Sequence, residues 1–259
     1  MKKTTKTILK KKGVEKITMI TAYDAMFARM ANEADIDVIL IGDSLGNTIL
    51  GYDSTVPVTI DDMIHHTAAV ARAKPDSLIL ADVPFGTAHF SFDKVLQDCR
   101  RLVQEGGAEA LKIEGGKAMA DTVAKLVNAG IAVMGHIGLE PQQVLRLGGY
   151  RKFGKTDEER EQILADAKAL EEAGAFAILL EMTDHQTAKL VTQSLSVPTI
   201  GIGAGGDCDG QVLVCADVLG INDKTPSFVK KYASLHEEIV NAYKAYVKDV
   251  KSNEFPSKE

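Results

Sequence analysis

The chain is poor in cysteine, lacks an excess of positive charge and has no long apolar run, and each shortage closes off a class of function. Cys99, Cys208 and Cys215 are odd in number and lack metal-ligand spacing. That pattern indicates neither a disulfide framework nor a zinc site, and buried thiols in a reducing cytosol are the expectation. The formal net charge is -6 over 259 residues, which argues against a dedicated nucleic-acid binder because no global basic field is present to neutralise phosphates. No run reaches the roughly 18 apolar residues of a membrane span. No apolar segment follows the basic start MKKTTKTILKKKG, so that start reads as a solvated tail ahead of the first strand rather than a secretory signal. A cytoplasmic protein with no membrane or nucleic-acid partner is expected. No stretch rich in Pro, Gly or Ser divides the chain, which predicts one domain over 1–259 that includes a short basic N-terminal tail and a C-terminal helix.

What remains is an ordinary globular composition, 45% hydrophobic and 25% charged, able to bury a sizeable core. Short β-rich runs alternate with amphipathic stretches. The pattern predicts strands at 17–21, 38–41, 77–81, 110–113, 131–134, 177–180, 199–202 and 212–214. Helices are expected over 24–34, 61–73, 93–105, 119–128, 157–173, 185–195 and 227–247. Asp61 and Asp157 read as helix N-termini, with Asp62 and Glu158 adding negative charge to the first turn. Four segments share one outline, ANEADIDVILIGDS, VQEGGAEALKIEGG, LVNAGIAVMGHIG and LEEAGAFAILLEM: a helix ends, a few residues turn, and an apolar strand follows. Gly107, Gly130 and Gly174 suit the left-handed position that closes a helix. Apolar strands without alternation belong to a parallel sheet covered on both faces. About eight β/α units in this length predict a closed α/β fold, the (β/α)8 TIM barrel.

The residues able to do chemistry gather at the C-terminal ends of these strands: Asp43 and Ser44, Asp82, Lys112 and Glu114, His136, Glu181, and then the glycine-rich GIGAGG. In a (β/α)8 barrel those ends share the face that carries the active site. The strand starts show no comparable set of ionisable groups. Asp43, Asp82 and Glu114 could not share a pocket ionised without a cation, and hard oxygen ligands suit Mg²⁺. Any one of them could instead cap a helix after its strand, but three together beside Lys112 favour the shared cation. Lys112 and Glu114 are two residues apart and point to one face of an extended strand; Lys112 is a charge partner for a carboxylate and is compatible with an anionic substrate. Glu181 ends the apolar run AFAILLE, as suits a general base, with a helix-capping acid as the alternative. His136 is either a satisfied core histidine or part of the site.

Other patterns fail on context. GIGAGG matches G-x-G-x-x-G, but an Asp/Gly-rich loop and another apolar strand follow it instead of a helix. There is no G-K-[ST]. His65 and His66 are adjacent on a helix and face different directions, and His185 is separated from Glu181 by a strand-to-helix break.

The segments ITAYDAMFARMANEADIDVILIGDSLGNTILGYDSTVPVT, ILADVPFG, LKIEGG, VMGHIGLEPQ and IGIGAGGDCDGQVLV together resemble the ketopantoate hydroxymethyltransferases, which make ketopantoate for pantothenate synthesis. The resemblance runs from about Thr7 to Lys231. It implies a (β/α)8 barrel, Mg²⁺ as cofactor with Asp43, Asp82 and Glu114 as metal-associated carboxylates, and 5,10-methylenetetrahydrofolate as co-substrate. It further implies that Asp43, Ser44, Asp82 and Lys112 contact the 2-oxo acid 3-methyl-2-oxobutanoate, that Glu181 is the proton acceptor, and that His136 helps to orient the substrate or a proton. Large ring-based homo-oligomers, decamers, are common in the family. Two departures stand out: Leu180-Glu181-Met182-Thr183-Asp184 where the family usually reads like L-E-C-V-P, and Cys215-Ala216-Asp217 where an aromatic-His-Asp segment is common. Two other readings stay open, a Mg²⁺-dependent lyase or mutase of the phosphoenolpyruvate mutase/isocitrate lyase type, and a non-catalytic 2-oxo-acid-binding oligomeric barrel. The first is weakened by the lack of a KKCGH-like motif and the second by the intact set of ionisable residues.

Overall fold

The computed structural model describes residues 1–256. Eight parallel strands close into a barrel in sequence order: β1 (Ile17–Thr21), β2 (Val38–Ile41), β3 (Leu78–Asp82), β4 (Ala110–Glu114), β5 (Val133–Gly138), β6 (Ala177–Glu181), β7 (Thr199–Ile202) and β8 (Gly210–Leu213). The circuit closes where Ile17 N–H donates to the Asp209 carbonyl at 2.9 Å. The expected (β/α)8 barrel is thus the observed fold. Five strands end later than their apolar runs, or begin earlier, as the pairing requires; β5, expected over 131–134, runs on to Gly138, which pairs with Glu181. β3, β4 and β6 take in Asp82, Glu114 and Glu181 because the ladder continues through Val83 N to Lys112 O, Gly115 N to His136 O and Met182 N to Ile202 O. β8 starts at Gly210 because Gly210 pairs with Ile200.

Two compact units are present, Met1–Val212 and a second that begins at Leu213. In the second, the helix expected over 227–247 runs instead over Leu235–Lys251. The N–H groups of Tyr232, Leu235 and His236 donate to the carbonyls of Val218, Leu219 and Gly220, so those donors are spent on the end of the short helix Cys215–Val218 and the two residues after it, and helix formation is delayed. Among the described residues no helix is long and apolar enough to cross a membrane. No disulfide forms, and Cys99, Cys208 and Cys215 are all buried.

Helix starts differ from expectation in one instructive way. Thr59 caps Ile60–Ala71 with a reciprocal box to Asp62, and Thr156 caps Asp157–Glu172. The hydroxyl takes the capping position, and Asp61 and Asp157 lie in the first turn, where they complement the helix dipole. Gly107, Gly130 and Gly174 do adopt positive φ, at 77°, 91° and 94°.

The basic start is no solvated tail. Thr5–Lys11 is a helix with its own capping box, and its Ile8 is fully buried. Ile8 joins the barrel core of Met19, Val38, Leu78, Met134, Ala177 and Val212. An amphipathic turn whose lysines can snorkel to polar partners buries Ile8 and leaves Leu9 exposed at little cost. Those partners correct a second expectation, that strand starts lack ionisable groups. Asp37, Glu109 and Asp209 each stand one residue before a strand and accept a main-chain N–H from the strand before it: Thr18 N at 2.9 Å, Ile79 N at 2.9 Å and Thr199 N at 2.9 Å. Lysines neutralise them: Lys11 Nζ lies 2.7 Å from Asp37, Lys2 Nζ 2.8 Å from Glu109 and Lys12 Nζ 2.9 Å from Asp209.

Candidate active site

The opposite, C-terminal ends of the strands hold a chain of ionisable groups from β2 to β6. Register explains their convergence: Asp82 is level with Lys112, Glu114 with His136, and Gly138 with Glu181. Because alternate residues share a face, Lys112 and Glu114 both point into the mouth of the barrel. Asp43 N–H donates to Asp82 Oδ2 at 3.0 Å. Lys112 Nζ lies 3.2 Å from Asp82 Oδ1, 3.8 Å from Glu114 Oε1 and 3.0 Å from His136 Nδ1. His136 Nε2 faces Glu181 Oε2 at 3.4 Å. Asp43, Asp82, Lys112, Glu114 and His136 are all buried, whereas the Glu181 side chain keeps 20% of its exposure. Ser44 is also at the mouth, but its hydroxyl is tied to Tyr23 Oη at 2.8 Å.

Asp43, Asp82 and Glu114 cap no helix. The cap after β6 is Asp184, which accepts from Gln186 N, so Glu181 is free of that duty as well. The departure Met182-Thr183-Asp184 supplies this cap together with a left-handed turn at Met182, φ 43°. GIGAGG leads through a loop into β8, as its context indicated.

The electrostatics divide the cluster. Burial first, then the charges of Asp82 and Glu114, push the Asp43 carboxyl well above its ordinary value. Burial also raises Asp82, against the pull of Lys112 and the Asp43 N–H. Glu114 is lowered: burial opposes its charge, but His136, Lys112 and the Gln142 N–H outweigh that cost. Burial favours a neutral Lys112, yet Asp82, Glu114 and Asp43 together hold its amine raised. Burial and Lys112 push His136 down, while Glu114 and Glu181 outweigh them and carry it up to about 9. A second ring proton would have to sit on Nδ1, against the Lys112 ammonium 3.0 Å away. The ring charge that Glu114 and Glu181 favour is therefore opposed at Nδ1, while Nε2 faces Glu181 Oε2 at 3.4 Å. Three buried side-chain atoms lack a hydrogen-bond partner among the described residues, and two of them, Asp82 Oδ1 and His136 Nε2, belong to this cluster.

A cation would meet this need at Asp43 and Asp82, where negative charge is least compensated. Among the described residues no three His, Cys, Asp or Glu side chains close into a metal cage. The arrangement fits Mg²⁺ all the same, since that ion takes one or two carboxylates and fills its octahedron with water and substrate oxygens. Glu114, already served by Lys112, His136 and Gln142, has the weakest claim to direct contact.

Three residues of the site escaped the reading of ionisable strand ends. Gln142 Nε2 donates to Asp43 Oδ2 at 2.8 Å and to Val83 O at 3.0 Å, and its main-chain N–H donates to Glu114 Oε2 at 3.0 Å. Tyr23 holds Ser44 from β1's end. Tyr150 is largely exposed, and its partial burial, followed by the charges of Glu181, Asp43 and Glu114, pushes its phenol up. The only signal for Gln142 and Tyr23 was their presence in the segments VMGHIGLEPQ and ITAYD.

A family model described as ketopantoate hydroxymethyltransferase matches residues 2–258. The 3-methyl-2-oxobutanoate hydroxymethyltransferase of Caldivirga maquilingensis is 53% identical over 100% of this chain and 97% of its own length. Its counterpart in Thermotoga maritima is 53% identical, covering 96% of this chain and 93% of its own, and that of Moorella thermoacetica is 52% identical over 97% and 93%. Among solved structures, a 2,3-dimethylmalate lyase of the PEP mutase/isocitrate lyase superfamily matches with TM-score 0.62 at 15% identity, covering 100% of this chain and 88% of that one. A phosphonopyruvate hydrolase in complex with oxalate and Mg²⁺ matches with TM-score 0.64 at 14% identity, over 98% and 88%. At such identities these two likenesses concern the barrel alone. The near-complete match to the family model, together with identities above half over the full length, means that the chain belongs to the ketopantoate hydroxymethyltransferase family.

Proposed function

We propose that this enzyme transfers a hydroxymethyl group from 5,10-methylenetetrahydrofolate to 3-methyl-2-oxobutanoate, giving ketopantoate for pantothenate and coenzyme A synthesis, with Mg²⁺ as cofactor. The observation that carries the reading is the unbroken run of contacts from Asp43 to Glu181, which sets a site for cation and anion beside an accessible carboxylate. Asp43 and Asp82 would hold Mg²⁺, with Glu114 beside them. Bound there, the ion supplies Lewis-acid polarisation of the keto and carboxylate oxygens of the 2-oxo acid.

The chain's own residues do the rest. Lys112, kept protonated by its acidic neighbours, adds positive charge where negative charge develops on the keto oxygen. Asp43, Ser44 and Asp82 orient the substrate at the ends of β2 and β3. Glu181, the most open acid of the run, takes the C3 proton. His136, whose Nε2 lies 3.4 Å from Glu181 Oε2, helps to orient the substrate or a proton. A cleft of about 360 Å³, lined by Gly138, Glu140, Gln143, Arg151 and Phe153 among others, adjoins the end of β5, where Gly138 pairs with Glu181, and is the place we assign to the folate. The same reading makes the protein a cytoplasmic homo-oligomer, a decamer.

Purified protein supplied with 3-methyl-2-oxobutanoate, methylenetetrahydrofolate and Mg²⁺ is expected to yield ketopantoate. Deuterium exchange at C3 without product would reduce the activity to enolisation. Neither exchange nor product would overturn the reading in favour of a barrel that only binds 2-oxo acids.

A further inference from the structure

The loop after β5 carries a residue that is neither acid nor base, yet its side chain makes two hydrogen bonds at the mouth. A primary amide has two hydrogens to donate. Gln142 spends both, one on Asp43 Oδ2 at 2.8 Å and one on Val83 O at 3.0 Å. The reversed amide would set its oxygen against two acceptors, so the orientation is fixed by the partners. The main-chain N–H of the same residue donates to Glu114 Oε2 at 3.0 Å. One residue therefore ties together the ends of β2, β3 and β4. Its backbone is prepared for this: Gln142 sits in the tight turn Pro141–Gln143, where proline occupies the first position and Glu140 before it is extended. Proline's fixed φ and its restriction of the preceding residue lower the entropy lost on holding the turn.

We infer that Gln142 is a positioning residue for the cation: it fixes the Asp43 carboxylate by reserving Oδ2 and leaves Oδ1 as the oxygen available to the metal. This rests on the Mg²⁺-dependent reading given above. Glu114 is held by the same turn through Oε2, so that acid keeps its place beside the cation through a bond that no side-chain replacement at 142 removes. The amide acts on the metal through Asp43, in the manner of an outer partner that orients a ligand, where loss typically weakens metal affinity about 10- to 100-fold.

The test uses Mn²⁺ as the probe, with free ion followed by electron paramagnetic resonance in the absence of both substrates, on wild type, Gln142→Ala and Gln142→Met. Methionine keeps the length and volume of the side chain and the main-chain bond to Glu114, but donates nothing. Both variants are expected to bind Mn²⁺ about tenfold or more weakly, with far-UV circular dichroism unchanged. Should the alanine variant fail to fold, the methionine variant carries the test alone. Wild-type affinity in Gln142→Met would overturn the inference, since packing and not hydrogen bonding would then be the role of the side chain. Failure of the wild type itself to bind Mn²⁺ is a different result: it would overturn the metal-dependent reading, and this inference with it.

Discussion

At the scale of single residues, what could be read in advance was charge, and what could not was neutrality. Asp43, Asp82, Lys112, Glu114 and Glu181 were visible because an ionisable side chain at the end of an apolar strand has few structural excuses. Gln142 had no such mark. An amide is common in loops, and the turn that aims it has no periodicity to betray its direction. Tyr23 and Ser44 were separated by a helix in sequence and brought together by the pairing of β1 with β2. Glu181 offers the direct test at this scale. Glu181→Gln is expected to retain Mn²⁺ and 3-methyl-2-oxobutanoate binding while C3 deuterium exchange, followed by proton NMR, falls about 10²- to 10⁴-fold. Unchanged exchange would remove Glu181 as the base.

Elements were legible where the period was long and clean, and misread where a short amphipathic turn hid inside a charge run. The six lysines of MKKTTKTILKKKG masked Ile8, whose fully buried side chain makes Thr5–Lys11 part of the barrel's floor. Ile8→Ala is expected to cost about 3 kcal/mol, the usual range for a buried aliphatic reduced to alanine, measured by urea unfolding. The acids before the strands were passed over because their work is with main-chain N–H groups, which no side-chain pattern reports. Asp37 is lowered in spite of burial, by Lys11 and by the N–H of Thr18, and Asp209 likewise by Lys12 and the N–H of Thr199. A carboxylate whose folded value lies below its unfolded value of about 3.9 contributes stability that is fully present above that pH and is lost as pH falls through the folded value. Unfolding free energy is therefore expected to drop below about pH 4. In Asp37→Asn the stability at pH 7 is expected to be lower by about 2 kcal/mol, the worth of a hydrogen bond to a charged group, with a shallower acid limb in a pH series of thermal melts.

For the molecule as a whole, the two faces of the barrel treat charge in opposite ways. On the floor, four of the six N-terminal lysines, Lys2, Lys3, Lys11 and Lys12, are spent on Glu109, Asp37 and Asp209, so much of the one basic cluster in the chain is internally neutralised. At the mouth four acids share Lys112 and His136, and Asp43 remains the least compensated. Closed topology was readable from eight β/α units in one chain length, whereas this division was not, since it depends on which acids find lysines across more than twenty residues of sequence. An unmet negative charge at the mouth links metal to stability. With free Mg²⁺ at a hundred times its Kd, one-site binding is expected to add about 2.7 kcal/mol, seen as a rise in Tm over the same protein in EDTA. Asp43→Asn is expected to lose that increment, and an equal rise in the variant would place the ion elsewhere.

The acid that precedes β2, β4 and β8 has one more consequence. Each accepts the main-chain N–H of the strand before it, so each clamps the relative height of two neighbours, and in a sheet where a slip of one residue turns every side chain to the other side, that height is what must not change. The barrel's geometry is thus anchored from below, away from the chemistry. Loops at the mouth can lengthen, shorten or exchange residues without renegotiating the frame beneath them. Evolvability of the reaction is secured by rigidity at the end of the molecule that takes no part in it.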